Sequence, residues 1–158
     1  APDPQVLIPT LSDAAWVELD LGRRQEAQAH AIEAIETAAG TRFVEWLAGI
    51  ALFADRLAVQ DELRSVLCGA ASATPEAKVV EYLLEGAYDR AADVLNEEGG
   101  ISDIVLAAHA RLRAGEKLAA QGRRAEADEQ LYRALAFFRS VRATRYIQEG
   151  EGLLAATA

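Results

Sequence analysis

The stretch GRRQEAQAHAIEAI, Gly22 to Ile35, returns one hundred positions later as GRRAEADEQLYRAL, Gly122 to Leu135. A looser third version, GAYDRAADVL, spans Gly86 to Leu95. Each copy sets an alanine five residues after the glycine: Ala27, Ala91 and Ala127. Glycine is the residue that closes a helix in the left-handed conformation. Alanines three, four and seven apart then mark one face of the helix that follows. A chain that writes this opening repeatedly is set to build the same helical hairpin repeatedly. Two helices cross closely only where side chains are small, and the alanines supply that.

The rest of the chain leaves room for this. It has 34 alanines, the strongest helix formers, and three of its four prolines fall within the first nine residues. No run of alternating β-branched residues reads as a strand. The spacing of apolar residues predicts about nine helices joined by short turns, so neighbours should be antiparallel. The hairpin units are expected at roughly 5–40, 41–70, 74–99 and 101–139, with a closing helix over 144–157, in a single domain spanning 1–158. Thr41 reads as the N-cap of a third helix running through Phe43, Leu47, Ile50 and Ala54. Thr74-Pro75-Glu76 reads as a helix start, and Thr144 as the cap of the last helix. Phe43 and Trp46 are expected in the core.

The net charge is −9 and the pI near 4.7, which argues against direct nucleic-acid contact, since phosphates need a basic footprint. The longest apolar run, Trp46 to Ala54, is about half a membrane span. No signal segment is visible. The lone cysteine, Cys68, can form no internal disulfide, in keeping with a reducing compartment. A cytoplasmic protein is the expectation, and the first residue, Ala1, points to a piece of a longer one.

The glycine marks at 22, 86 and 122 lie 64 and 36 residues apart, close to two units and one unit of a roughly 34-residue period. EKLAAQGRRAEADEQLYRALAFF, Glu116 to Phe138, resembles a tetratricopeptide repeat across its turn and second helix. Gly115 falls at the small position of the first helix, Gly122 at the turn, Ala127 and Ala134 at the small positions of the second helix, and Leu131 at the large one. The first copy has Ala15 and Ala31 in place of Gly115 and Leu131. The C-terminal run RALAFFRSVRATRYIQEGEGLLA is similar to the closing segment of helical-repeat regions in bacterial multidomain regulators, where such repeats follow an AAA/STAND-type ATPase with a nucleotide cyclase or LuxR-type output domain. Arg142 stands where such regions often carry glycine before the last helix. The resemblance implies an all-α fold of antiparallel hairpins stacked as a TPR-like α-solenoid, and a groove lined by the first helix of each pair. In that register Trp16, Asp20, His109 and Glu116 would face the groove.

Candidates for chemistry are few. Neither His30 nor His109 carries the spacing of a metal ligand, and Cys68 has no partner identifiable from the pattern. The acidic pairs Asp61-Glu62 and Glu97-Glu98 occupy consecutive helix positions, so their side chains diverge. Gly150-Glu151-Gly152 lacks the strand and the Lys-Ser/Thr of a phosphate loop. Arg139, Arg142 and Arg145, preceded by Arg133, form the most basic stretch. They read either as an anchor for an acidic partner or, for two of them, as cations at a helix C-terminus, where the dipole favours them. The same dipole reading covers Arg23-Arg24 and Arg123-Arg124.

Together these features predict a non-catalytic interaction module of a larger bacterial signalling or transcriptional regulator, with no cofactor and no metal. It would bind a protein, a peptide or other domains of its own chain through a concave helical surface, away from any membrane. Two other classes fit the same residues: a small helical-bundle enzyme or ligand-binding domain with a closed pocket, and a structural oligomerisation domain, for instance a homodimer.

Overall fold

The computed structural model describes residues 3–41, 43–69, 74–96 and 103–156. Among these residues there are ten α-helices and one 3-10 turn, and no strand. The chain divides into two compact units, Ala1–Glu85 and Gly86–Ala158. The division falls between the two helices that the sequence joins in the unit 74–99.

The first unit opens with α1 (Pro4–Asp20) packed on α2 (Arg24–Ala38). Asp3 caps α1, its carboxylate accepting from the Gln5 N–H at 2.9 Å, and Pro4 sits in the first turn, where no backbone donor is needed. The helix closes on Gly22 at φ 77°. There the Arg23 N–H donates to the Glu18 carbonyl (2.8 Å) and the Gly22 N–H to that of Leu19 (3.1 Å), the paired bonds of a Schellman closure. Ala27, Ala31, Ala34 and Ala38 on α2 are all buried completely, as the spacing predicts.

The expected third helix is broken. Its residues form a 3-10 turn (Val44–Leu47), α3 (Ala48–Leu52) and α4 (Ala54–Leu57), which ends on Ala58 at φ 55°. The reason is an apolar run too dense for one stripe: Val44, Leu47, Ile50, Ala51, Leu52, Phe53, Ala54, Leu57 and Val59 are all buried. A straight helix presents one face to a core; changes of direction at Leu47 and Phe53 let neighbouring residues bury together. Thr41 consequently caps nothing ahead of it. Its hydroxyl donates to the Ala38 carbonyl (2.7 Å) and accepts from the Phe43 N–H (3.1 Å), closing the end of α2. Phe43 and Trp46 stack on one another (5.0 Å between centroids) and stay partly exposed, not in the core. The unit ends with α5 (Gln60–Gly69) and α6 (Pro75–Leu84), the latter capped by Thr74, whose hydroxyl accepts from the Ala77 N–H at 3.3 Å.

The second unit holds α7 (Tyr88–Asn96), α8 (Ile104–Ala120), α9 (Arg124–Ser140) and α10 (Thr144–Ala156). Here α8 is central: α7 and α9 pack on it, and α10 packs on α9 and α8. The α8–α9 hairpin reproduces α1–α2 with the offset seen in the sequence. Asp103 caps α8, accepting from the Leu106 N–H at 2.9 Å, and α8 closes on Gly122 at φ 74°. The Arg123 N–H donates to the Leu118 carbonyl and the Gly122 N–H to that of Ala119, both at 3.0 Å. The same closure occurs a third time with arginine in the glycine position. Arg142 lies at φ 55°, its N–H donating to Arg139 (3.2 Å) and the Ala143 N–H to Phe138 (2.9 Å). The Ala143 carbonyl then accepts from the Ile147 N–H at 3.0 Å, so Ala143 holds the cap position expected of Thr144.

Two glycines mark close crossings. A Cβ on Gly115 would lie 2.5 Å from Leu131 Cγ, and one on Gly150 would lie 2.9 Å from Leu135 Cδ2. Gly150-Glu151-Gly152 is thus helical, its first glycine buried where α10 meets Leu135 and Leu112. Around it Leu112, Leu131, Ala134 and Phe138 form a core, onto which Tyr146, Ile147, Leu153 and Leu154 pack.

Candidate functional site

Of the four residues expected to line a groove, two are packing residues. Trp16 meets Phe53 edge-on, centroids 5.0 Å apart, and a Cβ at Gly49 would lie 3.8 Å from its ring. The indole therefore fixes α1 against α3. His109 is 6% exposed. Its ring stands edge-to-face with Phe138 (4.9 Å) and Tyr146 (4.4 Å), and those two rings stack at 5.1 Å. This aromatic cluster ties α8, α9 and α10 together, so His109 is neither a groove residue nor a surface one. Imidazole and phenol rings prefer such edge contacts, which place a positive ring edge on a negative face.

Asp20 and Glu116 remain accessible, Asp20 half-buried in the last turn of α1 and Glu116 42% exposed in its side chain. Glu116 accepts from Arg113 Nη1 at 3.1 Å. Arg113, with Arg111, is the feature that sequence reasoning passed over. Both lie on α8 and are less than a tenth exposed. Arg111 donates to Asp93 on α7 and to Gln130 on α9, each at 2.9 Å. Arg113 Nη2 donates to the Tyr88 hydroxyl at 3.1 Å, and its guanidinium lies 5.2 Å from the centroid of that ring. Lys117 completes the set, donating to the Gly86 carbonyl at 2.7 Å. The signal was in the sequence: RLR interrupts the apolar run of a helix that has no free face over residues 106–115. Buried guanidinium groups persist only when their donors are used.

The arginine-rich end is distributed over a turn. Arg139 is in the last turn of α9 and pairs with Glu151 of α10 at 2.8 Å. Arg142 is in the turn itself, exposed, and Arg145 is in the first turn of α10, 5.9 Å from the Tyr146 ring centroid. Arg139 and Arg142 therefore lie at the C-terminus of α9, where a cation gains from the dipole, whereas Arg145, in a first turn, opposes it. Arg133 lies 3.9 Å from Glu129 and 4.0 Å from Asp93.

The paired arginines of the twin turns also differ from the dipole reading, because Arg24 and Arg124 begin helices. Arg24 Nε donates to the Arg56 carbonyl at 3.1 Å, and Arg124 Nη2 to the Leu154 carbonyl at 2.7 Å. In both copies the second arginine satisfies a carbonyl near the end of another helix, one of the acceptors a helix leaves unpaired. Arg23 pairs with Glu18 (3.2 Å), and Arg123 with Glu126 (2.8 Å from Nε). The Arg123 guanidinium holds the Glu126 carboxyl below its ordinary value.

Cys68 is exposed in the last turn of α5. His30 is half-buried on α2, with Nδ1 buried and unbonded. Asp61 pairs with Arg64 along α5 at 3.1 Å. Glu97-Glu98 and Gly99-Gly100 lie outside the described residues. Among the described residues no three His, Cys, Asp or Glu side chains are grouped to hold a metal ion, and no helix is long and apolar enough to cross a membrane. No family model, curated protein or solved structure matches the chain.

Proposed function

We propose that this chain is a non-catalytic helical-repeat module that binds a protein, a peptide or other domains of its own chain, within a larger bacterial signalling or transcriptional regulator. Its hairpins would stack as a TPR-like solenoid. The observation that carries this reading is the hairpin built twice, α1–α2 and α8–α9, with the same aspartate cap, the same glycine closure and the same second arginine bonded to a distant carbonyl. Repeating one rigid hairpin extends a surface, which is how repeat proteins bind. The buried polar side chains support the same reading: His109, Arg111 and Arg113 are engaged in joining helices.

With Trp16 and His109 engaged in packing, recognition along the first helices rests on Asp20 and Glu116. Affinity capture from an extract of the source organism, with the wild-type chain and an Asp20→Lys/Glu116→Gln variant, tests this. Glutamine keeps an acceptor for Arg113, and circular dichroism verifies the fold. A protein retained by the wild type and lost by the variant is the expected result. Identical captures, or none by either chain, would overturn the groove.

A further inference from the structure

Helices α1 and α8 are the same element at two places, yet their outer stripes are treated oppositely. Both run 17 residues from an aspartate cap to a glycine closure, so position n of α1 corresponds to n + 100 of α8. On α8 the stripe Leu106, Ala110 and Arg113 is buried, and it continues to Lys117. Arg113 and Lys117 reach Tyr88 and Gly86, at the start of α7, so α7 is the helix laid along this stripe. On α1 the corresponding residues are Val6, Thr10, Asp13 and Val17, and all four are exposed: Val6 by 65% and Val17 by 56%. Leu21, one turn beyond Val17, is 60% exposed. Thr10 adds to the apolar character, because its hydroxyl is spent on the Val6 carbonyl at 2.7 Å.

We propose that this stripe of α1 docks an amphipathic helix of a partner protein, laid along it as α7 lies along α8, with a lysine or arginine of the partner set against Asp13. The repeat supplies the kind of element, since the equivalent surface in the same chain is covered by a helix. Charge supplies its chemistry. The position held by Arg113 in the covered copy is Asp13 here, and Asp13 enters no ion pair among the described residues. A carboxylate in the middle of an apolar strip needs a cation once the strip is covered, because burying it unpaired is costly. A second copy of this chain is a poor occupant. Asp13 lies midway along the stripe, so two stripes laid together, parallel or antiparallel, bring Asp13 against its own counterpart. The net charge of −9 opposes the same pairing and favours a basic helix.

This inference takes the interaction-module reading to one face and one class of partner, and its test does not use the captured protein. The probe is a synthetic amphipathic peptide with leucines along one stripe and a single central lysine, compared with the same peptide carrying glutamate there. Binding to the full chain is followed by amide chemical shifts. The lysine peptide is expected to shift Val6, Asp13 and Val17 and to bind at least about fivefold more tightly than the glutamate peptide. In Asp13→Lys, an exposed substitution, the order of the two peptides should invert. No binding, equal binding of both peptides, or shifts confined to other helices would overturn the proposal. So would a concentration-dependent dimer in sedimentation that Val17→Lys abolishes, which would make a second copy the occupant. Loss of the captured partner in Asp20→Lys/Glu116→Gln, with no peptide effect at Asp13, would overturn this site and leave the module reading standing.

Discussion

Arginine at position 142 does a glycine's work, and replacing it should stabilise the protein. Three helices close through the same pair of backbone bonds, at Gly22, Gly122 and Arg142, and in all three the residue at the bend has positive φ. For an L-residue that conformation costs roughly 1–2 kcal/mol, and glycine avoids it. Glycine gives back about 0.4–1 kcal/mol through its freer unfolded chain. The Arg142 side chain is exposed and enters no ion pair among the described residues, so little else is lost with it. Arg142→Gly should therefore gain about 0.5–1 kcal/mol, a rise in Tm of about 1–4 °C for a chain of this size. Arg142→Ala removes the guanidinium and keeps the Cβ, so it should stay within about 0.5 kcal/mol of wild type. Urea unfolding of the three proteins, read by far-ultraviolet circular dichroism, supplies the comparison. Both tryptophans, Trp16 and Trp46, lie in the first unit, so their fluorescence separately reports whether that unit responds. A glycine variant no more stable than the alanine variant would refute the strain argument. Should the gain appear, arginine is retained at a cost, and the exposed guanidinium beside Arg139 and Arg145 becomes the first place to seek an acidic partner.

The hairpin interiors and ion pairs yield further expectations. Gly115→Ala should destabilise by about 1–3 kcal/mol, because its Cβ would fall on Leu131, and Leu131→Ala in the same chain should recover part of that loss; a double-mutant cycle in urea reads the coupling. Arg111→Ala, which empties a buried site bonded to Asp93 and Gln130, should cost about 2–3 kcal/mol. Asp93→Asn, whose side chain is 61% exposed, should cost under about 1 kcal/mol by the same assay. The Glu126 carboxyl is held below its ordinary value by Arg123, so its pairing contributes above the unfolded-state pKa and is lost as pH falls through the lower folded value. Glu126→Gln should flatten that part of the acid limb of a stability-versus-pH curve by lowering stability in the neutral region, where the pairing is fully present, and should leave the acid end unchanged.

Much of the fold was legible because its determinants are local. Glycine closures, the Thr74 cap and alanine stripes act within a few residues of themselves, and Gly22, Gly86, Gly122 and Thr74 sit as their spacing predicts. The failures share a different cause. The segment after Gly40 is apolar on every side, and periodicity cannot say how such a run bends; the breaks at Leu47 and Phe53 depend on what surrounds it. His109 was misassigned because groove and core positions of a first helix look alike until the neighbouring helix is placed, and here Phe138 and Tyr146 arrive from α9 and α10. Arg111 and Arg113 were passed over for the same reason: RLR marks charge within an apolar run, but a buried guanidinium is recognised by its partners on other helices, Asp93, Gln130 and Tyr88.

Comparison of the twin hairpins separates what the fold needs from what is free to differ. At the crossing, Gly115 against Leu131 in one copy corresponds to Ala15 and Ala31 in the other: a methyl gained on one helix is matched by volume removed from its neighbour. Close packing imposes that exchange, since a Cβ at 115 would meet Leu131 at 2.5 Å. No such compensation links the outer stripes. Arg113 became compatible with burial because Tyr88 and Glu116 receive its donors, whereas Asp13 has stayed at the surface. Residues constrained by the hairpin itself are thus those at which the two copies trade volume, and residues constrained by a neighbour are those at which they trade charge. By that criterion Asp13, which stands on an otherwise apolar stripe where the other copy has arginine, is a position on α1 whose identity the hairpin alone does not explain, and the one at which the two helices carry opposite charges.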